Sequence, residues 1–447
     1  MNQGVGSLDW RGRAASSGGE VWVAEFLPFL HNCGRAMMIS YQDALATVLS
    51  HALPLETMRV ELGQLLGYFL AEPVVAGADS PLFDNSAVDG FGVHAADVTE
   101  ASPTSPVRLR LRTTIRAGDA AEGKLSPGSA VKVLTGAPMP CGVEAVVMRE
   151  FCTESAGEVI VKQAVGTGED IRGRGKEFRR GDEALPIGMR VTPPVVGLLA
   201  TFGYTEFSVH RKPRVALIVT GNELVQPGRP LRPGQIYDSN SAMLVAALRG
   251  MGIEDCAVTQ TRDEPASIKG QLTHDLESAD AVVTVGGVSV GDYDFVKEVC
   301  DEIGVKTHLW QVAIKPGKPF YFGTIARGEG NREKLIFGLP GNPVSAALTF
   351  HEMVKPVLLK MMGAKDVSPV LLSATLATNL RKEAGRMEFV RGVVTREDGR
   401  LVVRPTPGQD SHMVSGLARA NCLIHFPRAG ELLAEGEEVT VELIDWD

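Results

Sequence analysis

Val215-Ala216-Leu217-Ile218-Val219 runs apolar for five residues and then breaks into Thr220-Gly221-Asn222-Glu223. An apolar run of that length ending in a glycine turn reads as a buried strand and the loop that leaves it. Three more glycine-marked loops follow in order. They are Gly286-Gly287-Val288-Ser289-Val290-Gly291 after Ala281–Val285, Lys315-Pro316-Gly317-Lys318-Pro319, and Gly338-Leu339-Pro340-Gly341-Asn342-Pro343 at the end of an apolar run. In an open parallel sheet, loops leaving the carboxyl ends of the strands share one edge, where ligands bind. Glycines let the backbone approach such a ligand. Lys315 and Lys318 add positive charge there, and Glu223, Asp292 and Asp294 add carboxylates able to hold a metal. The set points to a phosphorylated or oxyanionic ligand with a divalent cation.

Around these loops, residues 213–363 alternate in period. Strand-like stretches at 215–219, 257–259, 281–285 and 335–338 are separated by helical ones at 239–250, 264–277, 294–303 and 344–360. That alternation predicts a doubly wound parallel sheet with helices on both faces. Residues 71–165 carry short β-type runs at 107–112, 130–134, 145–149 and 159–161, punctuated by Gly and Pro, and read as an inserted β-rich domain. Residues 364–447 return to alternating strands and read as a separate small β domain. A helix is expected from Ser40, a fitting N-cap. Residues 37–70 and 166–212 flank the β-rich insert, and the second stretch holds a helical run at 194–203. It also clusters Arg172, Arg174, Lys176, Arg179 and Arg180, which suit either an anion or a solvated, salt-bridged face. Residues 1–36 are expected to be a disordered or mis-assigned N-terminal extension.

Composition narrows the function. A length of 447 residues exceeds one ordinary core, so several domains are expected. A net charge of −9 argues against nucleic acid as the main partner, so an anionic ligand needs local positive charge. No apolar run has the length of a membrane helix. The six cysteines form no CxxC pair or zinc-spaced cluster, which fits free thiols in a cytoplasmic protein.

Individual motifs carry specific chemistry. Gly341-Asn342-Pro343-Val344-Ser345 is a helix start in which Asn342 suits the cap and Pro343 the first turn. Free N–H groups at such a start attract anions. Asp294, after the loop 286–291, suits a metal ligand beside phosphate, since Mg²⁺ takes one or two carboxylates plus phosphate oxygens. Asp84-Asn85-Ser86-Ala87-Val88-Asp89-Gly90-Phe91 and Thr135-Gly136-Ala137-Pro138 read by chemistry alone as turns.

In combination these motifs resemble the molybdopterin molybdotransferases, the bacterial counterparts of the gephyrin E domain. The resemblance rests on residues 83–90, 134–138, 286–291 with Asp294, 315–319 and 338–345, and runs from about Ser40 to the C-terminus. It implies a multidomain α/β plus β layout. A split helical domain comprises 37–70 and 166–212, an inserted β-rich domain 71–165, an α/β molybdopterin-binding domain 213–363 and a C-terminal β barrel 364–447. It implies insertion of molybdate into adenylylated molybdopterin with Mg²⁺-assisted release of AMP, in a cytoplasmic homodimer with shared active sites. The substrate then comes from an upstream molybdopterin adenylyltransferase. Asp294, Glu223, Asp263 and Asp89 match catalytic acids, with Asp294 and Glu223 toward the metal. Thr135, Gly286, Gly287, Ser289, Gly291, Lys315, Pro316, Lys318, Gly341, Asn342 and Ser345 match substrate contacts, and Lys315, Arg391 and Ser411 the molybdate pocket. The resemblance also implies that Asp89 and Thr135 come from the other subunit. Three positions depart from the family pattern: Gln311 stands where lysine is common, Glu177 for aspartate, and Asn222 for aspartate. A tungstate-inserting relative and a molybdopterin-binding scaffold without turnover are the alternatives. A nucleotide-processing enzyme on the same α/β domain fits less well, because it leaves Asp89, Arg391 and Ser411 without a role.

Overall fold

Six strands form the central sheet: β1 (Val215–Thr220), β2 (Cys256–Thr261), β3 (Ala281–Val285), β4 (Lys306–Trp310), β5 (Tyr321–Ala326) and β6 (Glu333–Leu339). The structure is a computed structural model that describes residues 38–288, 295–326, 332–444 and 446. The expected extension at 1–36 and the site residues Ser289, Gly291 and Asp294 lie outside the described residues. The spatial order is β2-β1-β3-β6-β5-β4. The first four strands are mutually parallel. β5 and β4 extend the sheet antiparallel at one edge.

β1 and β3 are buried along their whole length, as continuous apolar runs in a sheet covered on both faces should be. Val215, Leu217 and Val219 pack on Leu244 and Leu248 of the helix Ser239–Gly250 and on Val344 and Ala347 of Pro343–Thr349. Ala216 and Ile218 face Ile268 and Leu272 of Pro265–Ser278 and Val296 of Val296–Glu302. The sheet is therefore doubly wound.

The helix expected at 344–360 is broken by a wide π turn at Phe350–Val354, then resumes as Lys355–Met361. Pro356 explains the break. It has no N–H to donate to the carbonyl of Glu352, and its ring would collide with that carbonyl in a regular α-helix.

Thr57–Glu61 pairs antiparallel with Glu206–His210, so the chain leaves and re-enters beside itself. Val60, Leu65, Leu70 and Val74 cluster there with Val195, Leu199 and Phe207. The helix Tyr41–Ser50, capped by the Ser40 hydroxyl as expected, packs elsewhere: Ala44 and Val48 belong to the core of the α/β part. Within the arginine cluster, the Arg174 side chain pairs with Asp79, which also accepts the main-chain N–H of Arg180.

The inserted β-rich part is a six-stranded sheet in which Gly90–Val93 lies between Ala145–Met148 and Ser129–Val133. The turn reading of the stretch around Asp89 missed this strand, because glycines at 90 and 92 read as turn signals. They are there for close approach: a Cβ on Gly90 would lie 2.2 Å from the Val147 carbonyl oxygen. Gly90→Ala is expected to cost about 2–3 kcal/mol through that overlap. The check is a lowered urea midpoint at unchanged m-value.

The C-terminal barrel closes with five strands. Met387–Glu397, Arg400–Pro405, Leu371–Leu376, Glu438–Leu443 and Cys422–Phe426 pair in sequence, and the last returns to Met387–Glu397. Val390, Val403, Ile424 and Val441 fill it.

Candidate active site

The sheet register brings the glycine loops to one edge. Thr220 lies opposite Thr261, Val285 opposite Leu339, Gly338 opposite Tyr321, and Tyr321 opposite Trp310. The loops that follow Thr220, Thr261, Val285 and Leu339, and the loop between Trp310 and Tyr321, therefore emerge side by side. Gly286 donates its N–H to the Leu339 carbonyl at 3.0 Å. It has φ of 89°, and a Cβ there would sit 2.7 Å from the Thr220 hydroxyl, so only glycine fits. The Gly287 carbonyl accepts the Val296 N–H, and the ideal Cβ position of Gly341 lies 3.8 Å from the Gly286 Cα. The Asn240 side chain holds the Gly341 carbonyl at 2.8 Å.

Glu223 is exposed and Asp263 half-buried; they stand just past Thr220 and Thr261 on neighbouring strands. The Gln260 amide bridges toward the first loop by donating to the Leu224 carbonyl at 2.8 Å. Carboxylate donors such as these suit a hard cation like Mg²⁺.

On the other side of this edge the barrel meets the α/β part. Ile314–Lys315 pairs parallel with Met387 and Glu388, and the Lys315 ammonium lies 3.0 Å from Glu388. Three residues along the same strand, Arg391 is wholly buried. Its Nη2 donates to the Gly408 carbonyl at 2.9 Å, while Nε and Nη1 are buried without a partner. Burial lowers its pKa below the usual range, and the charges of Glu388 and Asp410 oppose that effect. The Gln409 amide brackets the Arg391 backbone, accepting its N–H and donating to its carbonyl.

The Ser411 carbonyl accepts the Val344 N–H at 3.0 Å. One of the helix-start N–H groups expected to await an anion is thus taken by the barrel. Asn342 occupies the N-cap position, but its side chain makes no cap hydrogen bond, and Ser345 is buried. Pro316 and Lys318 are half-buried, and the Lys318 carbonyl accepts the Val312 N–H to close the loop. Gly317 packs so tightly that a Cβ would lie 2.4 Å from the Thr349 methyl.

Asp89 sits apart from this edge. Its Oδ1 accepts the Thr135 N–H at 2.8 Å and the Thr135 hydroxyl at 2.9 Å, and Arg149 approaches Oδ2. Those hydrogen bonds hold its carboxyl below the usual range. It lines a cavity of about 370 Å³ with Lys132, Arg149 and Glu154, and every lining residue comes from 89–154. Among the described residues, none from the sheet edge lines it.

Sequence families cover nearly the whole of 39–444. One described as the MoeA N-terminal region (domain I and II) matches residues 39–203, a probable molybdopterin binding domain matches 216–360, and the MoeA C-terminal region (domain IV) matches 373–444. The molybdopterin molybdenumtransferase of Haemophilus influenzae is 34% identical over 392 residues, covering 87% of this chain and 94% of that protein. The chain belongs to the molybdopterin molybdenumtransferase family. It is thereby placed among enzymes of molybdenum cofactor biosynthesis. The Bacillus subtilis molybdopterin molybdenumtransferase is 36% identical, over 87% of this chain and 90% of that one. A crystal structure of the molybdopterin biosynthesis moeA protein from Pyrococcus horikoshii superposes with a TM-score of 0.77 and 28% identity, over 91% of this chain and all of that one. Among the described residues no helix is long and apolar enough to cross a membrane.

Within this molybdopterin molybdenumtransferase fold, sequence reasoning missed three residues of the candidate site. Glu388 ties Lys315 to the Arg391 strand; its signal was an acid three residues before an arginine in a strand-like run. Gln409 and Asp410 follow Gly408 in a loop whose hydrogen bonds to Arg391 are long-range in sequence, so spacing alone carried no sign of them.

Proposed function

We propose that the chain inserts molybdenum from molybdate into adenylylated molybdopterin and releases AMP. The observation that carries the reading is Arg391: a fully buried guanidinium with two unpartnered nitrogens, linked through Glu388 to Lys315 at the glycine-lined edge. Buried donors without acceptors are costly, and a tetrahedral oxyanion supplies acceptors in the geometry a guanidinium prefers. The loops at Gly286, Gly287 and Gly341 would receive the pterin phosphate and nucleotide, and Lys315 and Lys318 would offset their charge. Glu223 and Asp263, with Asp294, would hold Mg²⁺, which supplies charge neutralisation at phosphate oxygens. Such cleavage needs electrostatic stabilisation more than a covalent nucleophile.

In this reading the protein is a cytoplasmic homodimer, supplied by a molybdopterin adenylyltransferase. Mass-resolved detection of AMP from adenylylated molybdopterin, with and without molybdate, is the test. Molybdate-dependent AMP release, lost on Mg²⁺ chelation, is expected. A folded protein that binds the substrate and releases none would make it a scaffold. Faster release with tungstate would assign it to that metal.

A further inference from the structure

The π turn Phe350–Val354 carries two buried titratable side chains, His351 and Glu352, at the seam between the α/β part and the barrel. Across the seam stand Glu442 and His425 from the barrel and Tyr41 from the first described helix. His351 Nε2 and His425 Nε2 flank the two oxygens of Glu442 at 3.0 and 2.9 Å. The Tyr41 hydroxyl donates to Glu352 Oε2 at 2.6 Å. His351, Glu352 and Glu442 are 7%, 2% and 1% exposed.

Two atoms of this cluster are buried with no partner: His351 Nδ1 and Glu352 Oε1. Interior polar atoms are nearly always satisfied, so each orphan calls for an explanation. A proton on Glu352 would neutralise its charge. It would still leave an O–H without an acceptor, or a bare Oε1, and would do nothing for the imidazole. A cation bound at Glu352 Oε1 removes that orphan. One ring nitrogen of His351 and one carboxylate oxygen each from Glu352 and Glu442 lie within 4.8 Å of one another. A cavity of about 520 Å³, lined by these three residues and by Tyr41, Leu45 and Pro369, gives room for water as remaining ligand.

We propose that His351, Glu352 and Glu442 form a binding site for a divalent cation of the zinc class, separate from the sheet edge. The donor set selects the metal: mixed imidazole and carboxylate suits Zn²⁺, whereas Mg²⁺ prefers oxygen donors only. Charge agrees, since two buried carboxylates balance one dication. His425 on the far oxygen of Glu442 and Tyr41 on Glu352 would orient the ligands, as outer partners of metal sites do. The ion would pin the π turn to the barrel strand Glu438–Leu443.

The test needs no turnover, so its failure leaves the transferase reading untouched. Full-length protein is stripped with chelator, loaded with Zn²⁺ or Co²⁺, desalted and measured by elemental mass spectrometry. About one retained equivalent per chain is expected, with a raised melting temperature. Glu352→Gln and Glu442→Gln should each lower retention at least tenfold, and Asp263→Asn should keep it. The Co²⁺ form of the unmodified protein gives an answer even if those variants fail to fold: visible d–d bands without a thiolate charge-transfer band are expected. No retained metal, retention unchanged in both glutamine variants, or a thiolate band pointing to exposed Cys141 would overturn the site.

Discussion

Arg391→Ala is expected to lower molybdate-dependent AMP release by about 10²–10³-fold, the scale for removing a preorganised donor to a reacting oxyanion. Molybdate binding should weaken far more than binding of adenylylated molybdopterin, because the glycine edge proposed to take the phosphates does not involve the guanidinium. Stability will also change. Nη2 holds the Gly408 carbonyl, and its loss leaves a half-buried acceptor unpaired at about 1 kcal/mol. Circular dichroism and a urea midpoint separate that loss from the functional one. Arg391→Lys sharpens the test, since it keeps a charge on a shorter reach and loses the planar fork. It should still fold, with molybdate half-saturation raised at least about tenfold. If Arg391→Ala leaves the molybdate titration unchanged, the oxyanion binds elsewhere and the buried nitrogens need another explanation.

What the sequence made legible was the local signal. Val215–Val219 is apolar throughout and Ala281–Val285 apolar but for Thr284, so their burial follows from composition, and the glycine loops behind them mark the proposed ligand edge. The antiparallel extension was not legible. Lys306–Trp310 opens with three consecutive polar residues, and Tyr321–Ala326 has a glycine near its centre, so neither looks like a central strand. Gly90–Val93 was hidden for the opposite reason: its glycines look like a turn, and the crowding that demands them comes from strands some 40–60 residues later. Lys315 was legible as a charge in a glycine loop and Arg391 through the family resemblance, but Glu388 between them was not. Nor was the Ser411 contact, which is made by a main-chain carbonyl and so leaves no trace in residue type.

Mixing two inactive chains is expected to restore activity. Asp89 is held by Thr135 and Arg149 in a cavity built only from residues 89–154, whereas Lys315 lies at the sheet edge beside Glu388. If both act on one substrate, and one chain does not bring them together, the second must come from another copy. A two-fold dimer gives two equivalent composite sites, each using Asp89 of one subunit and Lys315 of the other. Asp89→Ala alone and Lys315→Ala alone should each be nearly inactive. In a heterodimer of the two, one site carries both lesions and the other carries neither. Random reassortment of equal amounts makes half the dimers mixed, so about a quarter of wild-type activity should return. The measurement is AMP release after co-refolding or co-expression, with the mixed dimer confirmed by native mass spectrometry. Recovery near zero with mixed dimers present would mean that each site draws both residues from one chain, which requires the β-rich insert to swing onto its own sheet edge.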